Sequence, residues 1–177
     1  MVSEKEAQEL IDAVDKAFPQ KKAYFHKVFV ESLTKGYIKI NDVNERKVLI
    51  HNYSTFAHYY NMNARAELSG KLRVSFNKWL GEIERACMNY PIQGTAAEMT
   101  KEAAYEIDKY IVENGFHILR DVMIVNQVHD EIVLEVEESL VDVVSAKAVE
   151  IMKTVGNKYA PSVPFPVDPK IDKIWLK

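Results

Sequence analysis

Val122-Met123-Ile124-Val125-Asn126-Gln127-Val128-His129-Asp130-Glu131-Ile132-Val133-Leu134-Glu135-Val136 is the stretch that decides the fold. Two β-branched runs, 122–125 and 132–136, flank six mostly polar residues, the pattern of a β-hairpin. Apolar side chains stand on both faces of each run, so helices are expected to cover at least one side of the sheet. His129, Asp130 and Glu131 stand where this apolar hairpin turns. Two adjacent carboxylates there are costly to bury and suit a tip that faces water or a cation. Read alone, they describe a polar turn sooner than a site, since Asp commonly supplies one.

Downstream, Val143, Val144, Ala148, Ile151, Met152 and Val155 predict a helix from about 139 to 155. Pro161, Pro164, Pro166 and Pro169 then hold an extended segment, leading to an expected edge strand over 171–176. Upstream, Phe76, Trp79, Leu80, Ile83 and Cys87 form an amphipathic pattern that Pro91 ends or kinks. Thr95 is expected to cap a second helix, with Ala103, Ala104, Ile107 and Ile111 on its apolar side and Gly115 closing it. Gly94, Ala96 and Ala97 would let that helix approach another backbone. Cys87 reads as a small apolar side chain, with nothing beside it that marks a thiolate.

The chain opens on a capping box, Ser3 with Glu6, ahead of Ala7, Leu10, Ile11, Val14 and Phe18 at helical spacing. Pro19 stops that helix. A second covers 20–35 with Gly36 as its C-terminal punctuation, and short strands at 37–40 and 47–50 make a hairpin. Residues 51–75 are the least readable. His51 and His58 have metal-ligand chemistry, but no Cys or close carboxylate completes a set. The aromatic residues there suit a cluster packed under a long loop or stacked on a base. Helices packed on a small antiparallel sheet make the fold class α+β.

Composition narrows the function classes. The chain has 177 residues, 47% of them apolar, with 23 Lys+Arg against 26 Asp+Glu. It can bury a core unaided and lacks the polarity and charge of a disordered chain. No apolar run approaches the ~18 residues of a membrane span, the start lacks signal-peptide character, and the single cysteine excludes an internal disulfide. A soluble, cytoplasmic protein is expected. Residues 1–101 carry 15 basic and 12 acidic side chains, and residues 102–177 carry 8 and 14. A phosphate backbone could sit against the first part and cations against carboxylates of the second, although a solvated helix surface accounts for the same charges.

Two segments carry a family resemblance. Glu84-Arg85-Ala86-Cys87-Met88-Asn89-Tyr90-Pro91-Ile92-Gln93-Gly94-Thr95-Ala96-Ala97-Glu98 resembles the ERxxxNxPxQGTAAD segment of family A DNA polymerases. Residues 127–135, QVHDEIVLE, resemble that family's motif C, QVHDELVLE. The opening helices, the interval between the two segments and the Pro-rich end before Trp175 are similar too. The resemblance implies that Asp130 is the motif C aspartate, one of two that hold catalytic Mg²⁺, with Glu131 its acidic neighbour. Gln127 and His129 match residues beside the primer terminus. Arg85, Asn89 and Gln93 match polar residues facing the duplex minor groove, where every correct pair presents acceptors at purine N3 and pyrimidine O2. Without the resemblance, Arg85 and Asn89 read as helix surface and Gln93 as a cap.

The resemblance also has gaps. No DYSxIE-like motif A and no RxxxKxxxFGxxYG fingers helix is present, so the chain starts about where that helix would end. Glu98 replaces the usual Asp, and residues 51–78 are longer than the matching segment in typical members. Expected are partial fingers over 1–90 and a partial palm with motif C over 91–177, in one continuous globular unit. The chain would act with DNA primer/template, dNTP, Mg²⁺ and an upstream fragment carrying motifs A and B, as a split polymerase of phage type or as an excised piece. Alone it would be inactive and prone to self-association through the sheet around 122–136. The rival reading is a non-catalytic DNA-binding or polymerase-interaction module. A metal-dependent phosphodiesterase lacks the His or Asp cluster that would complete its site.

Overall fold

Ser3 caps the first helix as its sequence requires. Its side chain accepts from the Glu6 backbone N–H while Glu6 reaches back to Ser3, and α1 runs Glu4–Ala17. These features come from a computed structural model that describes residues 3–61 and 64–175. The fold is α+β, and it divides into two compact units, one of residues 1–40 and 45–92, the other of 41–44 and 93–177.

In the first unit, α2 (Pro19–Lys35) ends on Gly36, whose φ of 80° is the left-handed conformation that suits glycine. The chain turns there into β1 (Tyr37–Lys39), antiparallel to β2 (Lys47–Leu49). Tyr53, opening α3 (Tyr53–Asn61), donates its hydroxyl to the carbonyls of Leu33 and Thr34 at 2.8 and 3.0 Å. Two acceptors left over at the end of α2 are thereby satisfied. A Cβ at position 36 would stand 3.0 Å from the Tyr53 ring. Gly36→Ala is therefore expected to cost about 1–2 kcal/mol from the left-handed backbone alone, with ring displacement added, read as a lower urea midpoint.

Residues 53–61 do not belong to a long loop. They form a helix because Phe56 and Ala57 are buried and Tyr53, Tyr59 and Tyr60 pack on the same core. Leu33, Ile38, Ile50, Leu68, Phe76, Trp79, Ile83 and Cys87 complete it, and Trp79 Nε1 donates to the His51 carbonyl at 2.8 Å. Burial pushes the Cys87 thiol up, which keeps it protonated and unreactive.

The two helices expected around Pro91 are one helix, α4 (Gly70–Glu113). Thr95 caps nothing, since it lies inside. An interior proline costs about 3 kcal/mol through its missing N–H and ring clash. Along α4, burial of Ile83, Cys87 and Pro91 and then of Thr100, Ala103, Ile107 and Ile111 outweighs that local penalty.

In the second unit, β3 (Val122–Val128) pairs antiparallel with β4 (Glu131–Val136). Val122, Ile107, Ile111 and Val144 form the core, joined by Ile124, Ile132, Leu134 and Val136. Helix α5 (Val141–Tyr159) packs there through Ala148, Ile151 and Met152. The strands run further toward the tip than their apolar runs suggested, because backbone pairing continues through Asn126 and Gln127 regardless of side-chain polarity. A register shift between Ile124 and Asn126 takes up the extra residue. The expected strand at 171–176 is absent over its described residues, 171–175. Ile171, Ile174 and Trp175 are exposed there, and among the described residues no neighbouring strand offers the ladder of hydrogen bonds that a strand needs. Leu176 lies outside the described residues.

Candidate functional site

Pairing of Val128 with Glu131 leaves a loop of two residues, His129 and Asp130, at the tip of the β3–β4 hairpin. So tight a turn demands an unusual backbone, and His129 supplies it with a φ of 53°, in the left-handed region. Gln127, paired with Ile132, is the last polar residue of β3 before Val128, and Glu131 is the first residue of β4. All four polar side chains, Gln127, His129, Asp130 and Glu131, are exposed. The apolar half of the hairpin is anchored on α4 and α5, so the tip is presented from a packed base.

Two adjacent carboxylates provide hard oxygen donors of the kind that bind Mg²⁺. They do not make a complete metal site. Among the described residues no group of three or more His, Cys, Asp or Glu side chains is placed to hold an ion. His51 instead lies 3.3 Å from the Glu82 carboxylate, and the His58 ring meets Tyr59 edge-on, so both histidines have structural surroundings.

Arg85, Asn89 and Gln93 are exposed at i, i+4 and i+8 of α4. Arg85 and Asn89 belong to the first unit and Gln93 to the second, with the hairpin tip. Gln93 is not the cap that its local sequence suggests; the continuity of α4 makes it helical like the other two. Glu98, the residue that departs from the family segment, accepts from Asn44 Nδ2 at 3.0 Å and lies 3.4 Å from Lys101 Nζ.

One polar cluster escaped sequence reasoning because its members are 56 and 57 positions apart. Glu102 of α4 accepts from Lys158 Nζ and from the Tyr159 hydroxyl, the latter at 2.8 Å. Burial raises the Glu102 carboxyl, but those two hydrogen bonds outweigh it and hold its pKa below the ordinary value. Burial, reinforced by Glu102, pushes the Tyr159 phenol up to about 12. A phenol that stays protonated in the fold but ionises near pH 10 when unfolded leaves stability intact below pH 10 and lowers it progressively toward pH 12. Tyr159→Phe is expected to cost about 1–2 kcal/mol at neutral pH and to flatten the alkaline fall, as measured by urea unfolding across pH 8–12. Glu102 and Lys158 border a cleft of about 350 Å³ between α4 and α5, whose lining includes none of the site residues proposed from the sequence.

Comparison with known proteins gives the geometry its context. The family model described as DNA polymerase family A matches residues 1–177. DNA polymerase I of Streptococcus pneumoniae serotype 4 is 31% identical over 184 residues, covering 99% of this chain and 17% of its own length. The thermostable DNA polymerase I of Thermus filiformis is 28% identical over 173 residues, covering 98% and 17%. In structure, the POL domain of Pol1 from M. smegmatis, in complex with DNA primer-template and dNTP, shares the fold with a TM-score of 0.64 at 24% identity, over 86% of this chain and 23% of that one. The chain thus spans 17% of the length of those two curated relatives. Matched along its entire sequence, the protein belongs to DNA polymerase family A.

Proposed function

We propose that this chain is the C-terminal polymerase portion that contributes the motif C carboxylate to Mg²⁺-dependent nucleotidyl transfer on a DNA primer/template. The observation that carries this reading is the two-residue hairpin tip, with Asp130 and Glu131 exposed side by side on a base packed against α4 and α5. Asp130 would hold the metal, with Glu131 as its acidic neighbour. When bound, paired Mg²⁺ ions supply charge stabilisation to the attacking and leaving oxygens of the phosphoryl transfer.

The chain's own residues would do the positioning. A short hairpin fixes Asp130 better than a flexible loop could. Gln127 and His129 flank it, near where a primer terminus would lie. Arg85, Asn89 and Gln93 are long donors at helical repeat on α4, suited to minor-groove acceptors common to all correct pairs. Residues 1–90 would correspond to part of the fingers and 91–177 to part of the palm. With no third metal-ligating side chain grouped with them among the described residues, the two exposed carboxylates leave room for another polypeptide segment to complete the site. DNA and dNTP as partners draw support from the complex in which the M. smegmatis domain was solved.

Primer extension tests the proposal directly. Tagged chain is recovered from its native cells beside an Asp130→Ala control, and both samples are assayed with Mg²⁺, dNTPs and a primed template. Extension only with the wild-type tag is expected. Highly purified chain should show none. Extension by purified chain that Asp130→Ala abolishes would refute the need for a second polypeptide, and extension indifferent to Asp130 would refute its role.

A further inference from the structure

The β3–β4 hairpin is regular at its base and regular toward its tip, with one interruption between. At the base Val122, Met123 and Ile124 pair with Val136, Glu135 and Leu134. Toward the tip Asn126, Gln127 and Val128 pair with Val133, Ile132 and Glu131. Val125 has no partner in that ladder, and it is 44% exposed. It forms a β-bulge, an extra residue that bends its strand and tightens the local twist.

The bulge separates two stiff pieces. Val122, Ile124, Leu134 and Val136 seat the base among Ile107, Ile111 and Val144. The tip half is paired residue for residue and closed by the two-residue turn in which His129 is left-handed. Among the described residues, Ile132 is the one apolar side chain of that half packed on the core. The direction in which the tip leaves the base is therefore set at Val125. Asp130 lies about 10–15 Å beyond it along the ribbon, so a ~10° change of bend moves its carboxylate by roughly 2 Å. A misplacement of about 1 Å can slow a reaction about 10²-fold.

The extra residue also sets which way the polar side chains face. Residues directly opposite in an antiparallel pair share a face. Gln127, opposite Ile132, thus lies on the core side, and Asn126 and Val128 lie on the other, with Val133 and Glu131. In an unbroken strand running on from Ile124, alternation would put Gln127 on Glu131's side instead. We propose that Val125 is a positioning residue, whose bulge aims the Asp130 carboxylate through its backbone rather than its side chain. This rests on the role proposed for Asp130 in nucleotidyl transfer.

Deletion of Val125 tests it, because every pair of the ladder and every face can stay as they are while the bend is lost. Residual dipolar couplings of the backbone amides in the full chain should show residues 127–131 turned relative to 122–124. Val125→Ala, which keeps the extra residue, should leave that angle as in the wild type. In material recovered with tagged chain from native cells, the deletion should lower kcat for primer extension at least about 10²-fold, with binding of primed DNA retained. Val125→Ala should stay within about twofold of wild type. A folded deletion variant that keeps a tenth or more of kcat would overturn the proposal, as would a tip that does not turn. A loss with Val125→Ala equal to that of the deletion would do so too, since the side chain would then be acting. Should the deletion variant not fold, Val125→Gly decides, because it frees the backbone of the bulge. It should lower kcat by about three- to tenfold, and a kcat equal to that of Val125→Ala would overturn the proposal. Asp130→Asn runs beside these variants. Its activity at the wild-type level would refute the reading of the tip, and this inference with it, whereas its loss beside an active deletion variant would refute the bulge alone.

Discussion

Asp130→Asn is expected to reduce primer extension by the proposed polymerase assembly at least about 10³-fold, corresponding to about 4 kcal/mol of lost transition-state stabilisation. The substitution removes a charge but keeps the size and polarity of the side chain. Because Asp130 is exposed at a hairpin tip, the folded chain should keep its stability within about 0.5 kcal/mol. Binding to primed DNA should persist as well, since the minor-groove donors proposed on α4 are untouched. Glu131→Gln is expected to have the smaller effect, about tenfold, in keeping with its proposed place as neighbour to the metal ligand. An Asp130→Asn assembly that kept a tenth or more of its activity would remove this aspartate from the chemistry. Loss of activity accompanied by loss of folding would point to a structural role, which its exposure argues against.

Phe76→Ala should give the largest loss of stability. Phe76 is almost wholly buried, with ring centroids 6.0 Å from Phe56, 6.4 Å from Tyr59 and 5.9 Å from Trp79, and the Arg65 guanidinium 5.8 Å from its own. Truncation removes the ring's transfer energy and leaves a void among aromatic groups too rigid to collapse into it, at a cost of about 3–5 kcal/mol. That is a large share of the roughly 5–15 kcal/mol that holds a typical domain together. The urea midpoint should fall by about 2 M, and Phe76→Leu should recover more than half of the difference. A loss below about 1 kcal/mol would mean that the α3–α4 aromatic cluster is not the centre of the first unit's core.

These two residues differ in how readable they were. Asp130 read alone as part of a polar turn, and it stood out only through the resemblance of residues 127–135 to motif C, a local pattern that survives in sequence. Phe76 was legible as a core residue through its spacing with Trp79, Ile83 and Cys87. Its neighbours Phe56 and Tyr59 were not, because a short aromatic stretch suits a cluster packed under a loop and a stacking surface equally well. Pro91 misled for a related reason. Its local penalty is visible in sequence, whereas the burial on either side that overcomes it is spread along 44 residues of α4. The strand expected from 171 failed over 171–175 in the opposite sense, since a β-like composition cannot form a strand without a neighbour to bond to, and the described residues offer none.

The sequence by itself determined the elements whose causes are local: the Ser3–Glu6 capping box, the left-handed stop at Gly36, the β3–β4 hairpin and its acidic tip, and the family motifs within 84–98 and 127–135. Tertiary structure decided the continuity of α4 through Pro91, the helix over 53–61 and the Glu102–Lys158–Tyr159 cluster. Capping, turn chemistry and period-two patterning act over a few bonds and are written residue by residue. Burial and long-range hydrogen bonds depend on which distant surfaces meet, and only the folded chain brings those surfaces together.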